Sequence, residues 1–365
     1  MSSKFSFLSL VFCMTVLFLV CMAGCGKTIF SGSGPENNPA EHPQNPVPPV
    51  PVLPDPGPSN PTWYVSSSGN DSGAGSDPSK PMASVRAALA RIKSVYKSGK
   101  WPAGKSAVIV IRGTLTGSGS FGSNQAMIDI SGAGNYPPII LEGDPVTGGV
   151  LNANRNKDNQ GRVLYIANNQ VALGNNLILT GGYTLWGGAV CVGTPGSPSE
   201  GEFIMAGGEI SGNTAGLGGA VLMYKGSMTM SGGIIKNNTN TDYSKVMGSG
   251  GGIYLAEYTS LTMSGGTIRD NGGAKTDNGG GVKVEGTAQF TMTGGEILNN
   301  TSNIHGGGVH VAAYGTFTLS SGIISGNKTG TSGGGIYLSP YGVAFTQSGG
   351  TISGNTPDEK ILSGN

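Results

Sequence analysis

The sequence predicts an all-β fold: a right-handed parallel β-helix, a solenoid, with one capping helix at its N-terminal end. Three observations carry this expectation. Glycine supplies 66 of the 365 residues, more than twice the usual share of roughly 7%. Charged residues make up only 11%, against the usual ~25%. Two short boxes recur along the second half of the chain, one at steps of 27 to 32 residues and one at steps of 25 to 33. Periodic glycine marks a repeat architecture rather than a low-complexity tract.

The first 25 residues, MSSKFSFLSLVFCMTVLFLVCMAGC, place Lys4 ahead of an apolar run from Phe5 to Val20, then small residues before Cys25. This is the layout of an export signal. Met22-Ala23-Gly24-Cys25 resembles a bacterial lipobox, with Met where Leu is commonest. The resemblance implies cleavage before Cys25 and lipidation there, so 1–24 is expected to be a signal peptide. Two or more acyl chains satisfy the requirement for stable anchoring, and the expected partner is a membrane, at the envelope of a bacterial cell and its outer membrane. Residues 25–61 are rich in Pro, Asn and Ser. Such a composition favours extended polyproline II and cannot bury a core, so it reads as a tether.

Residues 62–365 are expected to form the β-helix domain. A short strand at Trp63–Val65 runs into a Gly/Ser/Asn/Asp turn region. Ser84 is an N-cap type residue, and Val85, Ala88, Leu89, Ile92, Val95 and Tyr96 follow at helical spacing. One amphipathic helix before a series of short strands suits a cap over an open sheet stack, whose edges otherwise invite aggregation. Short apolar strands are expected at Val108–Ile111, Ala126–Ile130, Pro138–Leu141, Val163–Ile166 and Leu177–Leu179.

From about residue 181 the pattern is regular. The box Gly-Gly-[Ala/Gly]-[Val/Ile] ends at Val190, Val221, Ile253, Val282, Val309 and Ile336. The box Ile-x-x-Asn ends at Asn213, Asn238, Asn271, Asn300, Asn327 and Asn355. Between them [Phe/Met/Leu]-x-[Met/Leu] alternates with period two, the signature of half-buried strands. Each repeat offers about three short strands and sharp Gly/Asn corners, and stacking the coils buries one continuous core. The six asparagines are expected to form an internal ladder at a corner, amide to backbone and amide to amide. About nine or ten coils fit this length. A β-propeller blade needs ~40–45 residues, more than this repeat supplies. Thr229, Thr262, Thr291, Thr318 and Thr346 read as one outward column, explained by β-propensity.

The opening WYVSSSGNDSGAGSDPSKPMASVRAALARI resembles the start of pectate-lyase-like right-handed β-helix proteins. The GGAV boxes at Gly187–Val190 and Gly218–Val221, with Ile-x-x-Asn, resemble the GGAI and FxxN boxes of chlamydial polymorphic outer-membrane proteins. Ile stands here for the Phe of FxxN. No membrane barrel follows the repeats before Asn365, and lipidation at Cys25 is expected in its place. The resemblance implies the fold over about residues 62–355. That fold carries lyases, hydrolases and adhesins alike.

Chemistry-bearing residues are sparse. Net charge is +1, with no basic stripe, so nucleic acid is not an expected partner. Cys13, Cys21 and Cys25 lie in the leader region and only Cys191 in the body, which excludes an intrachain disulfide framework there and gives no zinc spacing. Carboxylates in residues 181–355 appear singly, never as DD or DxD, so neither a calcium cluster nor a paired glycosidase site is legible. No cofactor and no metal are expected. Asp242, Tyr243, Lys245, Lys275, Asp277 and His305 fall in corner loops between the boxes and would stack along one edge as a shallow polar groove. The expected function is non-catalytic binding or adhesion to a polysaccharide or to a host or envelope protein. The alternatives are a polysaccharide lyase or glycoside hydrolase, discriminated by a carboxylate cluster on one coil face, and a structural envelope lipoprotein.

Overall fold

The structure, a computed structural model, describes residues 60–121, 124–193, 199–242 and 248–362. The leader, Cys25 and most of the Pro-rich stretch lie outside the described residues. The strand Thr62–Ser66 pairs in parallel with Ala107–Thr116. Between them runs α1, Val85–Lys97. Ser84 caps it, its Oγ accepting from the Ala87 N–H at 3.1 Å. Asp71 in turn accepts from the backbone N–H of Ala83 and Ser84 and from the Ser84 hydroxyl. This carboxylate sits where the helix dipole favours negative charge. Val85, Ala88, Leu89 and Ile92 are buried in one core with Trp63, Val65, Ile109 and Ile111, so α1 closes the N-terminal end of the stack. Val95 and Tyr96 are only half-buried. Tyr96 meets Trp101 edge-on at 6.1 Å instead of joining the core face.

The rest of the described residues form a parallel β-solenoid. A 16-stranded sheet and a 9-stranded sheet carry most strands, with two small sheets at a corner. Strands one repeat apart pair in parallel and in register. In the 9-stranded sheet Val190, Val221, Ile253, Val282, Val309 and Ile336 form one column of fully buried side chains. In the large sheet Phe203, Met228, Leu261, Phe290 and Phe317 form another. The Phe290 and Phe317 rings stack at 4.7 Å, as in-register coils require. Burying each such side chain stabilises by roughly 1.5–3 kcal/mol. About eight turns are complete, fewer than the nine or ten expected, because residues 62–106 supply one strand and α1 rather than a coil. The strand expected at Val108–Ile111 extends to Thr116, passing through a left-handed Gly113.

The corner asparagines Asn213, Asn238, Asn271, Asn300, Asn327 and Asn355 form a continuous buried column. At each step the backbone N–H and Nδ2 of one Asn both donate to the Oδ1 of the next, at 2.9–3.1 Å. Each Nδ2 also donates to a carbonyl one coil back, as Asn300 does to Ile268 at 2.9 Å. The Gly182 N–H supplies the first donor at 3.0 Å. The Glu359 carboxylate takes the place of a further Asn, accepting from Asn355 Nδ2 at 2.6 Å. The residue before each Asn is left-handed: Gly212, Asn237, Asp270, Asn299, Gly326 and Gly354. Glycine and the Asx residues are the ones that tolerate this backbone.

Candidate functional site

Of the corner residues singled out from the sequence, Tyr243 and Lys245 lie outside the described residues. Lys275 and Asp242 form an ion pair with both side chains largely exposed. Asp242 raises the pKa of Lys275 above its ordinary value. Exposed pairs of this kind are worth about 0–1 kcal/mol. Asp277 accepts weakly from the Asn303 amide at 3.4 Å, and its carbonyl accepts from the His305 N–H at 3.0 Å. The His305 ring stacks on Tyr337 at 4.0 Å, and its Nδ1 bonds the Ser332 hydroxyl at 3.0 Å. The structure thus brings Asp242 to Lys275 and His305 to Tyr337. No hydrogen bond among the described residues links the two pairs.

A denser cluster lies on the outward face of the 9-stranded sheet. Asp129, Tyr165, Cys191, Leu222, Tyr254, Lys283, His310 and Tyr337 are register partners in consecutive coils. Each occupies the middle of a strand whose two neighbours point into the core, so alternation sends it outward. Sequence reasoning missed this column, although its position, one after each Gly-Gly box, was legible. Lys283 is buried and pairs with Glu285 at 3.3 Å. Tyr254 donates to the same carboxylate at 3.4 Å. His310 is buried, and its Nδ1 has no partner among the described residues. Burial, then Lys283 and His305, hold the His310 pKa well below its ordinary value. Burial likewise lowers the pKa of Lys283, with Glu285 opposing. Tyr254, Tyr337 and the half-buried His305 crowd this column and leave Lys283 and His310 little surface to offer a ligand.

The outer face of the large sheet is the open one. Its outward column runs Val108, Ile140, Ala172, Ile204, Thr229, Thr262, Thr291, Thr318 and Thr346. The apolar members form a buried cluster with Tyr64 packed on it, and Thr229 is buried as well. Exposure grows along the threonines, and Thr346 is exposed. Beside this column the sheet bends at paired small residues, and the bend forms a groove of about 720 Å3. Gly266, Gly294, Gly295, Gly322 and Gly350 make its floor, and Thr267, Glu296, Ile323 and Thr351 its wall. The floor is bare by necessity. Gly295 has φ +82°, and a Cβ on Gly294 would lie 2.3 Å from the Ser264 carbonyl oxygen. The wall residues are register partners, and Ile234 and Glu209 continue their column. At ~4.8 Å per coil, the four lined rungs span roughly 14 Å.

Charge is confined to part of this wall. Glu209 holds Lys236 at 2.8 Å, and Arg269 pairs with Asp270. Burial works against the Glu209 carboxylate, but hydrogen bonds from Lys236 and Ser211 outweigh it and lower its pKa. Thr267 Oγ1 donates to Glu296 at 3.4 Å. Glu209 and Glu296 stand three rungs apart, roughly 14 Å. Paired glycosidase carboxylates need about 5–9.5 Å. Among the described residues no group of three or more His, Cys, Asp or Glu is placed to hold a metal ion. No family model matches the chain, and no curated protein or solved structure matches it either. The described residues form a parallel β-solenoid.

Proposed function

We propose that the protein is a bacterial envelope lipoprotein, anchored through lipid at Cys25, that binds an extended glycan along the glycine-floored groove without cleaving it. The groove carries this reading. It is open and shallow, it runs across four consecutive coils, and its lining offers hydroxyls and one carboxylate. A hydroxyl-rich chain lying along the solenoid axis meets a hydroxyl or a carboxylate on three of the four wall rungs, at Thr267, Glu296 and Thr351. A protein partner would be expected to find buried aromatic or Arg anchors, which the groove lining does not contain. The lipobox-like Met22–Cys25 and the resemblance of the repeats to polymorphic outer-membrane proteins and pectate-lyase-like helices support the envelope address.

The test uses the full chain on immobilised neutral and acidic polysaccharides, scoring retention and new reducing ends together. Retention without new ends is expected, and Thr267→Trp, which fills the groove, is expected to weaken it at least about tenfold, a loss of ~1.4 kcal/mol. New reducing ends would sink the non-catalytic reading. Retention unchanged by Thr267→Trp would remove the groove from it. Cys25→Ser is expected to move the protein out of the membrane fraction.

A further inference from the structure

Three tyrosines stand out on the described surface. Tyr258, Tyr314 and Tyr341 are 77%, 67% and 67% exposed, unusual for aromatic side chains. Tyr258 and Tyr314 occupy one structural position, a left-handed residue just before the outer strand, and Tyr341 precedes Gly342, which holds that position in the next coil. Leu255, Val284, Val311 and Leu338 are register partners in four consecutive coils, and the residues three further on are Tyr258, Thr287, Tyr314 and Tyr341. Two hydrogen bonds hold these turns together: Tyr258 N–H donates to the Thr287 side-chain Oγ1 at 3.2 Å, and Tyr314 N–H to the Tyr341 carbonyl at 2.9 Å.

The backbone is unusual at the same place. Tyr258 and Tyr314 have φ +63° and +65°. The other non-glycine residues in this conformation are Asn, Asp and one Gln. A bulky ring there is an outlier, and such outliers concentrate where function requires them. Packing does not account for them, since the rings are exposed. The Tyr314 ring lies beside Gly342, where an added Cβ would come within 2.8 Å of it. That contact orients the ring and leaves most of it to solvent.

The surroundings indicate the ligand. Tyr258 borders a depression of about 450 Å3 that also includes Gln170, Glu202, Ser227 and Ser260. Gln170 Nε2 donates to Glu202 at 2.7 Å. Glu200 also lines it, Glu257 adjoins Tyr258 in sequence, and no cation is among its lining residues. Carboxylates repel an anionic chain and accept hydrogen bonds from hydroxyls. Flat aromatic rings stack on the C–H faces of sugar rings. Coils rise ~5 Å per rung, so Tyr258 and Tyr314, two coils apart, are separated by ~10 Å, and Tyr341 lies in the following coil one residue before the register partner of Tyr314. A monosaccharide in an extended chain advances by about one such rung.

We propose that Tyr258, Tyr314 and Tyr341 form a stacking platform that sets the ligand class as a neutral glycan lying along the solenoid axis. This rests on the glycan-binding reading above and gives it a second line of contact, across the strand Thr259–Met263 from the groove. The test is affinity electrophoresis of the full chain through gels holding hydroxyethylcellulose, xyloglucan, or carboxymethylcellulose as the anionic counterpart. The variants are Tyr258→Asn with Tyr314→Asn, which keep a residue suited to the left-handed backbone, and Tyr258→Phe with Tyr314→Phe, which keep the rings. Retardation by a neutral polysaccharide is expected, with little by carboxymethylcellulose. The Asn pair should weaken it about tenfold per ring, as loss of ring stacking does elsewhere, and the Phe pair should behave as wild type. If the Asn pair binds as tightly as wild type while Thr267→Trp does not, the groove reading stands and the tyrosine platform is wrong. Preference for carboxymethylcellulose overturns the neutral-glycan assignment. Absence of retardation by every polysaccharide overturns both readings.

Discussion

Asn300 shows how much one side chain carries here. Its Oδ1 accepts from the N–H and Nδ2 of Asn271, and its Nδ2 donates to Ile268 O and Asn327 Oδ1. All four partners are buried with it. An unpaired buried polar group costs ~1–3 kcal/mol, and Asn300→Ala leaves several at once. A loss of roughly 3–5 kcal/mol is expected, read as a lowered urea midpoint at unchanged m-value. Asn300→Asp is expected to be at least as damaging, since it sets a carboxylate against the Ile268 carbonyl and Asn327 Oδ1. A shift smaller than that of an exposed control, Thr346→Ala, would show that the ladder follows the stacking and does not hold it.

At the scale of a strand, the outward column Tyr254, Lys283, His310 and Tyr337 makes a pH prediction. His310 faces Lys283, His305 and Tyr337, with Tyr254 and Glu285 about Lys283. Burial disfavours its charged form, so its folded pKa lies below the unfolded value near 6.5. The unfolded chain therefore takes up the proton first. Stability from this residue is complete above about pH 6.5 and is lost as pH falls toward the folded pKa. Burial lowers the Lys283 pKa from its ordinary 10.5 and Glu285 opposes it; wild type and His310→Gln share this lysine, so a difference between their slopes belongs to His310. Wild type is expected to lose unfolding free energy between pH 7 and 5, and His310→Gln to lose distinctly less, with His305 left as the residual slope. Equal slopes would mean that His310 is solvated. This column also marks where sequence reading stopped. The boxes made the core visible, because Val190, Val221 and Ile253 repeat a type as well as a position. The Asn corner was visible for the same reason. The outward residue varies freely from Cys191 to Lys283 to His310, so no pattern draws the eye to it, although alternation fixes where it points. The groove was illegible for a different cause. It is made of glycines whose left-handed backbone reads as a corner, and only the stacked structure shows that successive corners form a floor.

The described residues form a one-dimensional stack, and its two ends differ. At one end α1 seals the core with Val85, Ala88, Leu89 and Ile92. Toward the other, Val343, Phe345 and Ile352 are only partly buried. There Lys360 lies over the Phe345 ring at 4.9 Å and Glu359 closes the Asn ladder. Each coil is supported by its neighbours alone, so loss of one interface is felt locally and propagates toward the weaker end. Gly281 provides the place to test this. A Cβ there would lie 2.7 Å from the Gly308 carbonyl oxygen and 3.1 Å from Asn300 Nδ2. The coil above therefore cannot seat without moving, at a cost of roughly 1–3 kcal/mol for overpacking. In wild type, amide hydrogen exchange is expected to be fastest in the last rung, 344–362, and slowest through the central coils. In Gly281→Ala, protection is expected to fall across the coils after residue 281, which have only the weaker end to lean on. The coils between α1 and Gly281 should keep most of theirs. A uniform loss on both sides would show that the solenoid opens as one cooperative unit, and the nearest-neighbour account of its stability would then fail.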